Sequence, residues 1–398
     1  MKGQQVSQLR RLLQQQFLAD ASTLSGARTY ATTQLAIPSS NALRAGAGAR
    51  SSVNGVTATI FGCSGFLARY VAQSLGGMGT QLIFPHRCDP VDVQHLRTMG
   101  DLGQIVMLPD FNIRDDDQIR HAISHSNLVL NFIGADQETW NYGFDEVHVD
   151  IPARIARISK ELGVERVVHF SALGASADAP SRRLRTKAAG EAALKQELGD
   201  MLTIFKPASV TGTEDRLFNN YARWAKSLPI FPLIEGGDTK LQPVWVRDVA
   251  QAVVNALETY DSMGKTYHLA GPDVFTVKQL VNFTYQTIRE SPLVAPMPAP
   301  LAKLMAAPRE WLGKRTPLRP NAAFTADAID ELKADLTLPK DGTHLLTFKD
   351  LSVEPHKVTE GIPIEYLRFY RSGGYDFGTT GDNATTGGGG GQSPHLSR

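Results

Sequence analysis

The sequence predicts an α/β fold: a doubly wound parallel sheet followed by a smaller, mostly helical C-terminal region. Three observations predict it. From Val56 short apolar runs alternate with helical patterns, a glycine turn joins the first run to the first helix, and polar or small residues stand where the runs end. Strands are expected at "VTATIF" (56–61), "QLIFP" (81–85), "QIVML" (104–108), "LVLNFI" (128–133), "RVVHFS" (166–171) and "LTIFKP" (202–207). Helices fill the gaps at 65–76, 91–99, 115–125, 145–162 and 183–198. After Pro207 the pattern loosens into a loop, a short strand and a helix from Val246, then one further strand in "KTYHLAG" (265–271). From Pro292 the Pro, Ala and Leu content predicts an extended linker leading into a short helix.

Composition narrows the function classes. The chain has 398 residues, 42% of them hydrophobic, enough to bury a sizeable core. With 41 basic and 40 acidic residues it has no overall field to favour nucleic acid as a partner. Cys63 and Cys88 are the only cysteines, which provides neither a disulfide framework nor metal-ligand spacing, and no metal site is expected. No run of about 18 apolar residues occurs, so any membrane association is expected to be peripheral, through partners. The first 50 residues carry Lys2, Arg10, Arg11, Arg28, Arg44 and Arg50 against the single acid Asp20. Val6, Leu9, Leu13 and Phe17 share one helical face, the pattern of a transit peptide, for which a mitochondrial address is expected ahead of a chloroplast one. At the other end residues 373–398 are rich in Gly, Thr and Ser, and a disordered tail is expected.

Gly62-Cys63-Ser64-Gly65-Phe66-Leu67-Ala68 follows the first strand and opens a helix, as a phosphate-binding turn requires. A Cβ at Gly62 would obstruct the turn, one at Gly65 would hold a pyrophosphate away, and Ala68 lets helix and strand approach. The arrangement is Rossmann-like, with its ligand crevice at the carboxyl ends of the strands. Arg87, closing the second strand, stands where selection of NADH would usually place an acid, and points to NADPH over NADH. Asp110 and Asn112 close the third strand within reach of an adenine, and Asn131, Ile133 and Gly134 close the fourth beside a ribose. Lys206 and Pro207 close the sixth, where they would shape a nicotinamide site. Cys63 is expected to be a small filler, although a helix amino terminus lowers thiol pKa values, and His169 to be a core or crevice residue. The expected organisation is therefore a targeting segment (1–50), an NAD(P)-binding domain (53–291, with 208–245 partly in the C-terminal lobe), a partner-contacting region (292–372) and a tail (373–398).

The glycine turn, "HRCDPVDVQHLRTMGDLGQ", "HSNLVLNFIG" and "SRRLRTKAAGE" together resemble an atypical, extended short-chain dehydrogenase/reductase. More narrowly they resemble the nucleotide-binding accessory subunits of mitochondrial respiratory complex I of the alpha-subcomplex subunit 9 type. In active members of the wider superfamily a Tyr-x-x-x-Lys pair and an upstream Ser supply the proton chemistry. By register Ser171 matches the serine and Lys187 the lysine, while Arg183 stands at the tyrosine position. No tyrosine of the chain is followed four residues later by lysine. A guanidinium stays protonated at any ordinary pH and cannot cycle a proton, and losing the acid/base removes on the order of a hundred- to ten-thousandfold of rate. Lys187 would hydrogen-bond the nicotinamide ribose hydroxyls, and the neighbouring cations Arg183 and Lys187 call for something negative in the crevice, NADPH phosphates first and an acidic partner residue as the alternative.

The resemblance implies a non-catalytic subunit on the matrix side of the inner membrane, in the peripheral arm near its junction with the membrane arm. It would hold NADPH for assembly and stability and contact other complex I subunits. The rival is an active NADPH-dependent reductase of a carbonyl or enone. A nucleotide-sensing or RNA-binding protein, the third reading, is disfavoured by the balanced charge.

Overall fold

The apolar runs become a seven-stranded, all-parallel sheet. In the computed structural model, which describes residues 50–316, 324–339, 345–359 and 361–371, these strands are β1 (Thr57–Phe61), β2 (Gln81–Pro85), β3 (Ile105–Leu108), β4 (Leu128–Asn131), β5 (Arg166–Phe170), β6 (Leu202–Pro207) and β11 (Thr266–Leu269). Their order is β11-β6-β5-β4-β1-β2-β3, every pairing parallel. The order reverses between β1 and β4, and a crevice opens at such a point above the carboxyl ends. Both faces are covered, which is why β4 and β5 are wholly buried and apolar on both faces apart from Asn131, Arg166 and His169.

One face packs on α1 (Phe66–Gly77) and α6 (Val246–Glu258), through Ala68, Val71 and Leu75 against Val249 and Val253. The other packs on α2 (Asp116–Ile123), α3 (Ile151–Glu161) and α4 (Arg182–Leu198), through Ile119, Ile155, Ile158, Leu194 and Leu198. Between β6 and β11 the chain leaves the sheet for β7 (Val210–Thr211), α5 (Leu217–Ser227), β8 (Phe231–Ile234), β9 (Lys240–Leu241) and β10 (Val244–Trp245). With β12 (Phe275–Thr276) and α7 (Val277–Ile288) these build a second lobe around Phe218, Phe231, Leu280 and Val281.

Three expectations are corrected. The helix expected over 91–99 is only a 3-10 turn, Gln94–Thr98. The helix expected over 145–162 begins as a π turn at Glu146–Asp150 before α3. The linker after Pro292 contains β13 (Val294–Met297), paired in parallel with β8, and the helix that follows, α8 (Ala299–Arg315), has 17 residues. Pro308 lies inside α8 on its exposed side. There the carbonyl left without a donor meets water, so the proline does not end the helix.

A last segment carries α9 (Ala326–Glu331) and continues to Leu336, which bridges to Leu241 of β9. No helix among the described residues is long and apolar enough to cross a membrane. The expected targeting segment, up to residue 49, and the expected tail at 373–398 lie outside the described residues.

Candidate nucleotide-binding site

The glycine turn is built by close backbone approach. Gly62 has φ +78°, and a Cβ there would lie 3.1 Å from the Ile133 nitrogen and from the Phe132 carbonyl carbon. The Gly65 amide donates to the Gly62 carbonyl at 3.0 Å, and a Cβ on Gly65 would come 3.1 Å from that same oxygen. Phe66 and Leu67 open α1, whose start has no side-chain cap and no acid in its first turn. Its first amides and the positive end of its dipole therefore suit an anion, and the missing Cβ atoms at Gly62 and Gly65 leave room for a pyrophosphate. Ala68 is buried against the sheet and Ser64 is exposed at the turn's rim. Cys63 is the filler expected: burial pushes its thiol up to about 12, overriding any effect of the helix start.

The carboxyl ends carry the other expected residues. Arg87 is exposed after β2 with its guanidinium 5.0 Å from the centre of the Tyr142 ring, which Arg114 also approaches, at 4.4 Å. Asp110 is exposed with φ +54°. Asn112 turns inward on its own loop, its Oδ1 accepting from the Arg114 amide at 3.1 Å. Asn131 is buried: its Oδ1 accepts from the Ile133 amide at 3.0 Å and its amide donates to His169 Nδ1 at 3.3 Å. It thus fixes the bend that brings Ile133 against Gly62. A Cβ on Gly134 would meet nothing within 4 Å, so the crevice is open there.

Pro207 is buried at the end of β6. Lys206 does not face an open nicotinamide pocket. Its Nζ lies 2.7 Å from Glu191 of α4, in a pair whose side chains are 12% and 7% exposed. The other Glu191 oxygen accepts a short hydrogen bond from Ser171 Oγ. Lys187, one turn earlier on α4, donates to the Ser171 carbonyl at 3.2 Å. Burial and then the charge of Arg183 push the Lys187 ammonium down to about 7, with Glu331 and Glu191 acting the other way. The two buried histidines beside it, His148 and His169, are held near 3, burial being the larger cause in each.

Arg183 faces the same way as Lys187, and the negative group that answers it belongs to the chain. Its Nε and Nη2 donate to the two oxygens of Glu331 at 3.1 and 2.5 Å, and Nη1 lies 3.5 Å from Asp136. Of the two negative groups expected to relieve this cation, nucleotide phosphates or an acidic residue, the described residues supply the second, a carboxylate 148 residues away.

With that geometry described, the chain was compared with known proteins. Residues 58–270 match the NAD dependent epimerase/dehydratase family. The chain is 45% identical over 341 residues to "NADH dehydrogenase (ubiquinone) 1 alpha subcomplex subunit 9, mitochondrial" of Arabidopsis thaliana, covering 85% of this chain and 83% of that one. It is 41% identical to the protein of that name from Mus musculus, over 82% of this chain and 84% of that one. The chain belongs to the alpha subcomplex subunit 9 family. The family extends to the "NADH-ubiquinone oxidoreductase 40 kDa subunit, mitochondrial" of Neurospora crassa, 31% identical over 82% of this chain and 83% of that one.

Among solved structures, a UDP-glucose 4-epimerase from Thermotoga maritima superposes with TM-score 0.54 at 15% identity, over 78% of this chain and 98% of that one. A UDP-glucuronic acid 4-epimerase from Bacillus cereus gives 0.52 at 12%, over 70% and 99%. At such identities the likeness shows the fold alone. As a nicotinamide-dinucleotide fold with its glycine cradle intact, this subunit 9 family member has the architecture for that ligand class.

Four partners in the site were missed by sequence reasoning. Glu191 had a signal, standing four residues beyond Lys187 on the same helical face. Tyr142, Asp136 and Glu331 come from loops and from the second lobe, and nothing in local spacing connects them to Arg87 or Arg183. An open groove of about 750 Å³ between α3 and α4, lined by Arg114, Arg154, Arg157 and Glu197, contains none of the expected nucleotide contacts.

Proposed function

We propose that this chain is a non-catalytic accessory subunit of mitochondrial complex I that holds a nicotinamide dinucleotide, NADPH in preference to NADH, as part of its structure. Membership in a family whose relatives are named as subunits of NADH dehydrogenase supports the assembly. One observation carries the absence of chemistry: both groups at the proton-donor positions are already committed. The Ser171 hydroxyl donates to Glu191, and Arg183 is held by Glu331. Bound NADPH would supply a hydride, but hydride transfer to a carbonyl needs a proton at the oxygen. Neither the engaged hydroxyl nor a guanidinium that stays charged provides it, and the Lys187 ammonium is directed to the Ser171 carbonyl, so the rival reductase would have to draw its proton from water or from a freed Lys187.

In this reading the glycine turn from Gly62 to Gly65 and the start of α1 hold the pyrophosphate. Arg87 holds the 2′-phosphate beside Tyr142, Asp110 borders the adenine, and Ile133 and Gly134 border the ribose. The expected place is the matrix face of the inner membrane, in the peripheral arm near its junction with the membrane arm. Three measurements test the proposal. The chain should co-migrate with complex I on a native gel, and NADPH should bind the purified chain more tightly than NADH. NADPH should then persist, its absorbance unchanged, in the presence of aldehydes, ketones and enones. Steady oxidation with any of them would establish the reductase instead, and tighter NADH binding would overturn the role of Arg87.

A further inference from the structure

The segment from Thr325 to Leu338 is tied at both ends across the carboxyl edge of the sheet. At one end Asp327 accepts from Ser181 Oγ at 2.8 Å, from the Arg182 amide at 2.6 Å and from the Arg183 amide at 3.2 Å. It thereby satisfies the first amides of α4 from the far side of the sequence. One helical turn later Glu331 receives Arg183 in a two-pronged pair whose side chains are 15% and 17% exposed. At the other end the Leu336 amide donates to the Lys240 carbonyl at 2.9 Å and the Leu338 amide to Gln242 Oε1 at 3.1 Å. Between these ties the Leu336 side chain presses on Gly174, where a Cβ would lie 2.7 Å from Cδ2. Gly174 stands three residues beyond Ser171.

We infer that this segment is a built-in occupant of the space a substrate would enter, with the Arg183–Glu331 pair as its bolt. The inference rests on reading the site as a retained dinucleotide grip. A substrate carboxylate or carbonyl approaching Arg183 must displace Glu331. A carboxylate carried on the same chain acts at an effective concentration in the millimolar range or above, so dilute anions do not compete. The arginine at the tyrosine position thus has a positive role: it receives the strap that roofs the crevice.

The bolt is tested first on the nucleotide-free, full-length chain by hydrogen exchange read by mass spectrometry. E331Q removes the charge while keeping the shape. Peptides covering residues 182–184 and 325–338 are expected to exchange roughly tenfold faster, with β1 and β4 unaffected. The charge swap R183E/E331R is expected to restore slow exchange, and D327N serves as a second loosened variant if E331Q does not fold. Unchanged exchange in the folded E331Q protein would overturn the inference. A second arm uses bound NADPH and quenching of its fluorescence by acrylamide. Quenching should be weak in the native chain and rise severalfold in E331Q, whereas quenching as strong as for free NADPH in the native chain refutes the roof. If NADPH does not bind at all, the dinucleotide reading fails, and the exchange arm still decides the strap.

Discussion

A buried cation is tolerable only if something answers its charge, and Arg183 and Lys187 receive different answers. The guanidinium has its own carboxylate, Glu331, while among the described residues the ammonium's hydrogen-bond partner is the Ser171 carbonyl, and burial pushes it down to about 7. In the unfolded chain the Lys187 amine titrates near 10.5, so between about 7 and 10.5 the unfolded state binds more protons and stability rises with pH. His148 and His169, held near 3 against an ordinary 6.5, act in the same direction at lower pH, so stability falls as pH drops from 6.5. The expected outcome is that the native chain gains stability relative to K187M as pH is raised from 7 to 9.5 in thermal melts. A difference flat across that range would refute the shift. At the glycine turn, G62A places a side chain at φ +78° against the Phe132–Ile133 backbone. It should cost about 1–3 kcal/mol in denaturant unfolding and abolish nucleotide retention.

At the scale of elements, α4 is the piece on which the site depends. It starts on a Ser181 cap, whose oxygen accepts from the Leu184 amide at 3.4 Å, and runs past the π turn at Glu146–Asp150. Thr186 Oγ1 lies 2.8 Å from His148 Nδ1 there, and a Cβ on Gly190 would be driven into the His148 carbonyl oxygen. G190A should therefore lower stability by roughly 3 kcal/mol or more, since the two backbones cannot separate without uncovering the core. An exposed-site control on the same helix, K195A, should stay within about 0.5 kcal/mol. The strands and α4 were legible in sequence because burial on both faces leaves continuous apolar runs, and the 3.6-residue period needs only local information. The 3-10 turn at 94–98 and β13 were not. The first has too few helical bonds to differ in pattern from a helix, and the second exists only because β8, some 60 residues away, offers an edge. For the same reason Gly62 and Lys187 could be read as site residues, whereas Glu331 could not: its relation to Arg183 is made by the path of the second lobe.

For the whole molecule, the sheet and the second lobe meet across the crevice, so a dinucleotide held there contributes to the fold directly. At a hundred times its dissociation constant a ligand adds about 2.7 kcal/mol to the folded state. NADPH is accordingly expected to raise the melting temperature by several degrees, and to protect the β1–α1 turn and the ends of β4 and β5 from proteolysis. A chain whose melting is indifferent to saturating NADPH would contradict the structural role.

The same bolt makes Arg183 hard to replace. Putting tyrosine at 183 would strand the Glu331 carboxylate in a site that is mostly closed to water, and would leave Ser171 still committed to Glu191. Freeing both positions would take changes at Arg183, Glu331 and Glu191 together, and the first change alone would weaken the fold. Arg183 is therefore fixed by the fold itself: whatever else occupies the crevice, its pairing with Glu331 is part of what holds the protein together.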